Sequence, residues 1–266
     1  MCIDISVYRA RVGLFGHYQL REKSFKLMNS FDLIIWLSML LIKCGDIHEN
    51  PGPLSSTTSD TSFDSTSSLS SGSFNPSELV ASNLSFVHYN VQSLAPKIQQ
   101  LYADLCFFDV LAFTETWLDT NTSSSDITLS NYQTPFRKDR LADRHGGVIV
   151  YVKDTIIARR RQDLEVNDLE CIWLELKVKH KPILFGVFYR PPNSNAAVLS
   201  SIHDSIGLAV DTQIKDIVVT GDFNLDFLKP ASRSKIENIC MQFGMSQLIS
   251  DPTHFTESSQ STIIDL

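Results

Sequence analysis

Asn90, Glu115, Tyr189, Asp222 and Asn224 each stand at or just after the end of an apolar, β-rich run: FVHY before Asn90, LAFT before Glu115, LFGVF before Tyr189 and DIVVTG before Asp222. Loops converge at strand ends in an α/β protein, so residues far apart in sequence can share one cleft there. The chemistry open to such a set is hydrolysis of a phosphodiester. Glu115, helped by the neutral amide of Asn90, offers hard oxygen ligands to one Mg2+, with Mn2+ as the alternative, and leaves positions for water and phosphate oxygens. The ion would neutralise charge growing on the phosphoryl group and the leaving oxygen. Asp222 can orient or deprotonate the attacking water, and Asn224, on the same side of an extended backbone, can hold the water or the phosphate. The Tyr189 hydroxyl can donate to a phosphate oxygen. Each residue also has a plainer reading: a turn at Asp222 and Asn224, a helix cap at Asn90, a loop carboxylate at Glu115, a core aromatic at Tyr189.

The elements that must position these residues alternate along the chain. LSFVHYNV and DVLAFTET read as strands around a helix near Lys97 to Leu105, where Ile98, Leu101 and Leu105 recur at helical spacing. GGVIVYV, CIWLELKV and ILFGVFY follow as strands. In CIWLELKV, Ile172, Leu174, Leu176 and Val178 alternate with Trp173, Glu175, Lys177 and Lys179, the period of a strand with one buried face. A helix from Ala196 to about Thr212, the strand DIVVTGDFN, a helix near Lys235 to Phe243 and the run STIIDL complete the pattern. The expected fold is α/β: a four-layer sandwich of two mixed β-sheets face to face with helices outside.

Composition divides the 266 residues into a leader (1–53), a Ser/Thr-rich disordered linker (54–80) and a globular domain (81–266). The net charge of −7 argues against a basic sleeve that holds nucleic acid by charge alone. Five scattered cysteines form neither zinc-site pairs nor a disulfide framework, which points to reduced thiols and a cytoplasmic or nuclear location. The leader's apolar run Leu33 to Ile42 has about half the roughly 20 residues a membrane span needs, so it is read as a short helix. The polar ending Lys43-Cys44-Gly45-Asp46 is a poor signal-cleavage site and speaks against secretion. The following segment, with Asp46, Asn50, Pro51, Gly52 and Pro53, resembles the 2A-type ribosome-skipping peptides, although His48 stands where that family usually has Glu. The resemblance implies action in the ribosome exit tunnel and a break between Gly52 and Pro53; the alternative is a turn into the linker.

The ordered segments NVQSL, TETWL, RHGGVIVYV, VFYRPPN, GDFNLDF and STIIDL resemble the endonuclease/exonuclease/phosphatase superfamily, which includes DNase I and the apurinic/apyrimidinic endonucleases. They are most similar to the endonuclease domain of non-LTR retrotransposons. The resemblance covers roughly Leu84 to Leu266. It implies Asn90 and Glu115 at the metal, Tyr189 at the phosphate, Asp222 and Asn224 at the water and scissile group, and Asp265 behind them. Arg190, His145, Thr253 and Thr256 are candidate contacts to DNA or phosphate. The family closes with a strand and a Ser-Asp-His segment, and Leu266 comes before both, so the resemblance implies a sandwich without its last strand or strands and with activity lowered or lost. The implied function is a metal-dependent DNA endonuclease that nicks target DNA, with DNA as partner, no membrane and no obligate protein partner. A non-catalytic retroelement remnant and a phosphoesterase on another substrate are the alternatives. His88, inside a strand, reads as a packed histidine; Arg159, Arg160 and Arg161 read as a solvated face or a phosphate contact.

Overall fold

The structure is a computed structural model. It describes residues 84–140, 145–166, 168–178, 181–249, 253 and 262–265, together with the backbone of three short strands before them. Strands β1 (Ile3–Ser6) and β2 (Ser24–Leu27) pair antiparallel. Strand β3 (Leu41–Lys43) includes the last two residues of the leader's apolar run and joins the larger sheet described below. The rest of that run, the skipping motif and the linker lie outside the described residues.

Strand β4 (Phe86–Asn90) leads through helix α1 (Ile98–Leu105) to β5 (Val110–Thr114), which lies parallel to β4. A crossover helix permits that parallel pairing. The buried residues of α1 are Ile98, Leu101 and Leu105, the three whose spacing predicted the helix. The short strand β6 (Phe136–Lys138) and β7 (Val148–Val152) complete a four-stranded sheet of order β4-β5-β7-β6. Five-residue β4, β5 and β7 are buried along their whole length, which is why they read as continuous apolar runs rather than as alternation.

The second sheet begins with the edge strand β8 (Ile157–Arg160), then β9 (Glu170–Val178) and β10 (Lys181–Tyr189), paired antiparallel. Helix α2 (Ala196–Val210), capped by the Asn195 side chain on the Val198 amide, carries the chain to β11 (Asp216–Asp222), which runs parallel to β10. Helix α3 (Pro230–Phe243) opens on a proline, whose missing N–H costs nothing in a first turn, and leads to the short β12 (Ser246–Gln247). The sheet order is β12-β3-β11-β10-β9-β8.

Alternation sorts the side chains into layers. Phe86, Val110, Ala112, Val148 and Val150 of the first sheet meet Ile172, Leu174, Phe185 and Val187 of the second between the sheets, where Phe86 and Phe185 stack edge to face at 5.2 Å. On the outer faces Tyr89, Phe113 and Tyr151 pack with α1, and Trp173, Phe188 and Val219 pack with α2 and α3. The Trp173 indole donates to Ser205 Oγ on α2 at 2.9 Å, so this buried N–H has its partner. The four-layer expectation is met. β6 and β8 were not legible as strands, because each is short and half exposed.

Candidate active site

Two parallel strand pairs, one in each sheet, end in register. Asn90 is level with Thr114, the residue before Glu115, at the ends of β4 and β5. Tyr189 is level with Asp222 at the ends of β10 and β11. Because the two sheets face each other, these ends form one cleft at the sandwich rim. The Asn90 Nδ2 group donates to Glu115 Oε1 at 2.8 Å and to Asp222 Oδ2 at 2.8 Å, linking residues 132 positions apart. The Tyr189 hydroxyl donates to the same Glu115 oxygen at 3.1 Å. The Asn224 amide N–H donates to Asp222 Oδ1 at 2.9 Å.

The loops that carry these groups hold backbone conformations of limited population. Glu115 has φ 51°, Asn224 φ 49°, and Gln92 and Ser93, just after Asn90, φ 41° and 82°. Each such residue costs on the order of 1–3 kcal/mol and persists only where its surroundings enforce it. Here Lys97 Nζ donates to the carbonyls of Val91 and Gln92 at 2.6 and 2.9 Å, and the amides of Ser93 and Leu94 donate to the carbonyls of Glu115 and Thr116, each at 2.9 Å.

Charge in the cleft is poorly solvated. Burial drives the Asp222 carboxyl up to about 7, helped by the nearby Glu115 charge and opposed by hydrogen bonds from Asn90 and Asn224. Asp265, 1% exposed, bridges Asp222 through the backbone, and its carboxyl is also pushed well up by burial and by the Asp222 and Glu115 charges. Neither Asp265 carboxyl oxygen has a hydrogen-bond partner among the described residues. The same burial and neighbouring carboxylates raise the Tyr189 phenol, which keeps it a hydrogen-bond donor.

This donor set fits a divalent cation. Glu115 and the Asn90 carbonyl oxygen are hard ligands beside a carboxyl whose ionisation is held back, and a cation would relieve that cost. Among the described residues no group of three or more His, Cys, Asp or Glu side chains is placed to hold a metal. An ion here would take water and substrate oxygens as well, the habit of Mg2+.

The other expected contacts fall differently. Arg190 is 7% exposed and turned inward: Nη1 donates to the carbonyls of Phe223 and Asn224 at 3.2 and 3.4 Å and Nη2 to that of Ser194 at 2.8 Å. It grips the loop after β11 from behind. Thr253 Oγ1 accepts the Asp265 amide at 3.3 Å, inside the protein, and Thr256 lies outside the described residues. His145 is exposed, its ring edge-on to Trp117 at 5.0 Å. Arg159 pairs with Glu175, Arg160 with Glu165, and Arg161 with Asp163 and Glu175, which favours a neutralised face over a phosphate site. His88 is buried against Thr114 Oγ1 and burial drives it down to about 3, so it is neutral at ordinary pH. Sequence reasoning missed Lys97, Arg140 and Glu170; the only hint was the double glycine at 146 and 147, next to the last two of these.

Fold and cleft together define a hydrolase of phosphate esters. The chain belongs to the Endonuclease/Exonuclease/phosphatase family, whose model matches residues 87–260. Among solved structures it is similar to the endonuclease domain of TRAS1, a telomere-specific non-LTR retrotransposon, at 14% identity and TM-score 0.52, covering 68% of this chain and 81% of that one. That likeness establishes the shared fold. AP endonuclease LMAP from Leishmania major (14% identity, TM-score 0.46, 59% of this chain and 66% of that one) also matches. So does the 3' phosphatase NExo from Neisseria bound to product DNA hairpin (16%, 0.41, 59% and 70%). No curated protein sequence matches.

Proposed function

We propose that this chain is a divalent-metal-dependent DNA endonuclease of the non-LTR retrotransposon type, which nicks target DNA. The observation that carries the reading is the Asn90 amide held at 2.8 Å from both Glu115 and Asp222, with Tyr189 on the same Glu115 oxygen. Glu115 and Asn90 would hold the ion, which when bound supplies charge neutralisation at the phosphoryl oxygens. Asp222, raised to about 7, is poised to accept a proton from water at neutral pH. Its Oδ1 is fixed by the Asn224 amide, and the Asn224 side chain donates to the Arg190 carbonyl at 2.9 Å, so both members of the pair are oriented by backbone groups. The buried Tyr189 hydroxyl stays protonated and donates to Glu115 or to a phosphate oxygen.

Conversion of supercoiled plasmid to the nicked circle with Mg2+ tests this. Glu115→Ala is expected to lower the rate at least ~10²-fold, by analogy with loss of one preorganised electrostatic group. Equal conversion by the two proteins, or none by either, favours the non-catalytic alternative. The leader belongs to the same proposal: Asp46, Asn50, Pro51, Gly52 and Pro53 act in the ribosome exit tunnel. In vitro translation is expected to yield a short leader and a separate product starting at Pro53, and a lone full-length band rejects it.

A further inference from the structure

We propose that Arg140 and Glu170 form a positioning pair that holds the Tyr189 hydroxyl against Glu115; the inference rests on the nuclease reading of that cleft. Glu170 opens β9 and lies directly opposite Tyr189 in the β9–β10 ladder. Its Oε1 accepts Arg140 Nε at 2.7 Å and Arg140 Nη2 as well. The guanidinium so held lies over the Tyr189 ring, 5.5 Å from its centroid, where a cation meets the negative face of the π system. Both members are largely shielded, with side chains 18% and 14% exposed, so water competes weakly for them.

The other end of the pair reaches Glu115. Glu170 Oε2 accepts the Gly147 amide at 2.6 Å, and the carbonyls of Gly146 and Gly147 accept the amides of Trp117 and Thr116, the residues just after Glu115. One carboxylate therefore fastens the backbone that carries Glu115, and through Arg140 it fastens the face of the ring that carries the Tyr189 hydroxyl. The space is fitted to the pair: a Cβ at Gly146 would stand 2.5 Å from Arg140 Nε and 2.6 Å from Glu170 Oε2. The close approach of backbone to an ion pair thereby explains Gly146, whereas Gly147 has φ +90° and a Cβ there would stand 2.5 Å from Thr116 Oγ1. Arg140 is a positioning residue, acting on the reaction through Tyr189.

The test is a double-mutant cycle on plasmid nicking, with kcat and KM separated. Arg140→Lys keeps the charge and loses the fork; it and Glu170→Gln are each expected to lower kcat ~10-fold to ~10²-fold, the scale of a small misplacement, with KM for DNA unchanged. Tyr189→Phe alone is expected to lower kcat too, and adding Arg140→Lys to it should change nothing further. Additive losses, or an effect of Arg140→Lys on KM and its salt dependence, overturn the inference. A second readout needs no catalysis. In the chain labelled with 3-fluorotyrosine, the ¹⁹F resonance assigned by its loss in Tyr189→Phe is expected to shift in Arg140→Lys and in Glu170→Gln. An unmoved resonance in both overturns the positioning role. A shifted resonance in a chain that never nicks instead supports the pair while removing the nuclease reading.

Discussion

Replacing Asp222 with Asn is expected to lower plasmid nicking by ~10²–10⁴-fold, the range for a lost positioned acid–base group, and to flatten the pH dependence of stability. The two effects share one cause. Asp222 is 2% exposed and its carboxyl is raised from 3.8 to about 7, chiefly by burial. Between pH ~4 and ~7 the folded chain therefore binds more protons than the unfolded chain, so stability of the cation-free protein falls as pH rises through that window. Asn carries no proton to lose, and the variant's unfolding midpoint should fall less over the same range. Asp265, raised for the same reason, leaves part of the fall in place. The Asn side chain would also point an NH2 group at the Asn90 NH2 group, which now donates to Asp222 Oδ2, so the variant starts from lower stability in acid. Thermal unfolding in chelator from pH 4 to 8 checks the slope. Parallel curves for the two proteins would mean that Asp222 ionises normally in the fold.

Gly221→Ala is expected to destabilise the domain by about 4 kcal/mol or more, the range of exceptional substitutions. Gly221 has φ +147°, and a Cβ there would stand 1.9 Å from the Phe188 carbonyl oxygen and 2.7 Å from the Phe188 nitrogen. Those are ladder atoms of β10, which cannot swing aside as a side-chain tip can. Moving β10 away would part Tyr189 from Asp222 at the strand ends. Gly244→Ala serves as the control: it too has a positive φ, +61°, but nothing lies within 4 Å of its Cβ, so its cost should stay near ~1 kcal/mol. Urea unfolding midpoints compare the two, and equal midpoints would contradict the steric reading of Gly221.

Much of the cleft was legible because strand ends are legible. FVHY, LAFT, LFGVF and DIVVTG are apolar runs with abrupt polar ends, and the residues at those ends are the ones that meet. Their partners were not. Arg140 sits between recognisable elements, and Glu170 is the first residue of a strand whose alternation only becomes visible after it. Arg190 shows the opposite case. A cation next to Tyr189 suggests a phosphate contact, yet its guanidinium is turned to carbonyls of the loop after β11, and charge alone does not encode that direction. β8 ends in Arg159 and Arg160, the first two of the arginine trio, which hid its strand character, since alternating exposure on an edge needs few apolar residues.

The most direct measurement of whether Asn90, Glu115 and Asp222 gather around one cation is Mn2+ binding, followed by electron paramagnetic resonance of the free ion. The intact chain should take up one Mn2+ with release of protons as Asp222 ionises, and Glu115→Gln and Asn90→Ala should each weaken binding ~10-fold or more. One unchanged affinity across all three proteins would contradict it.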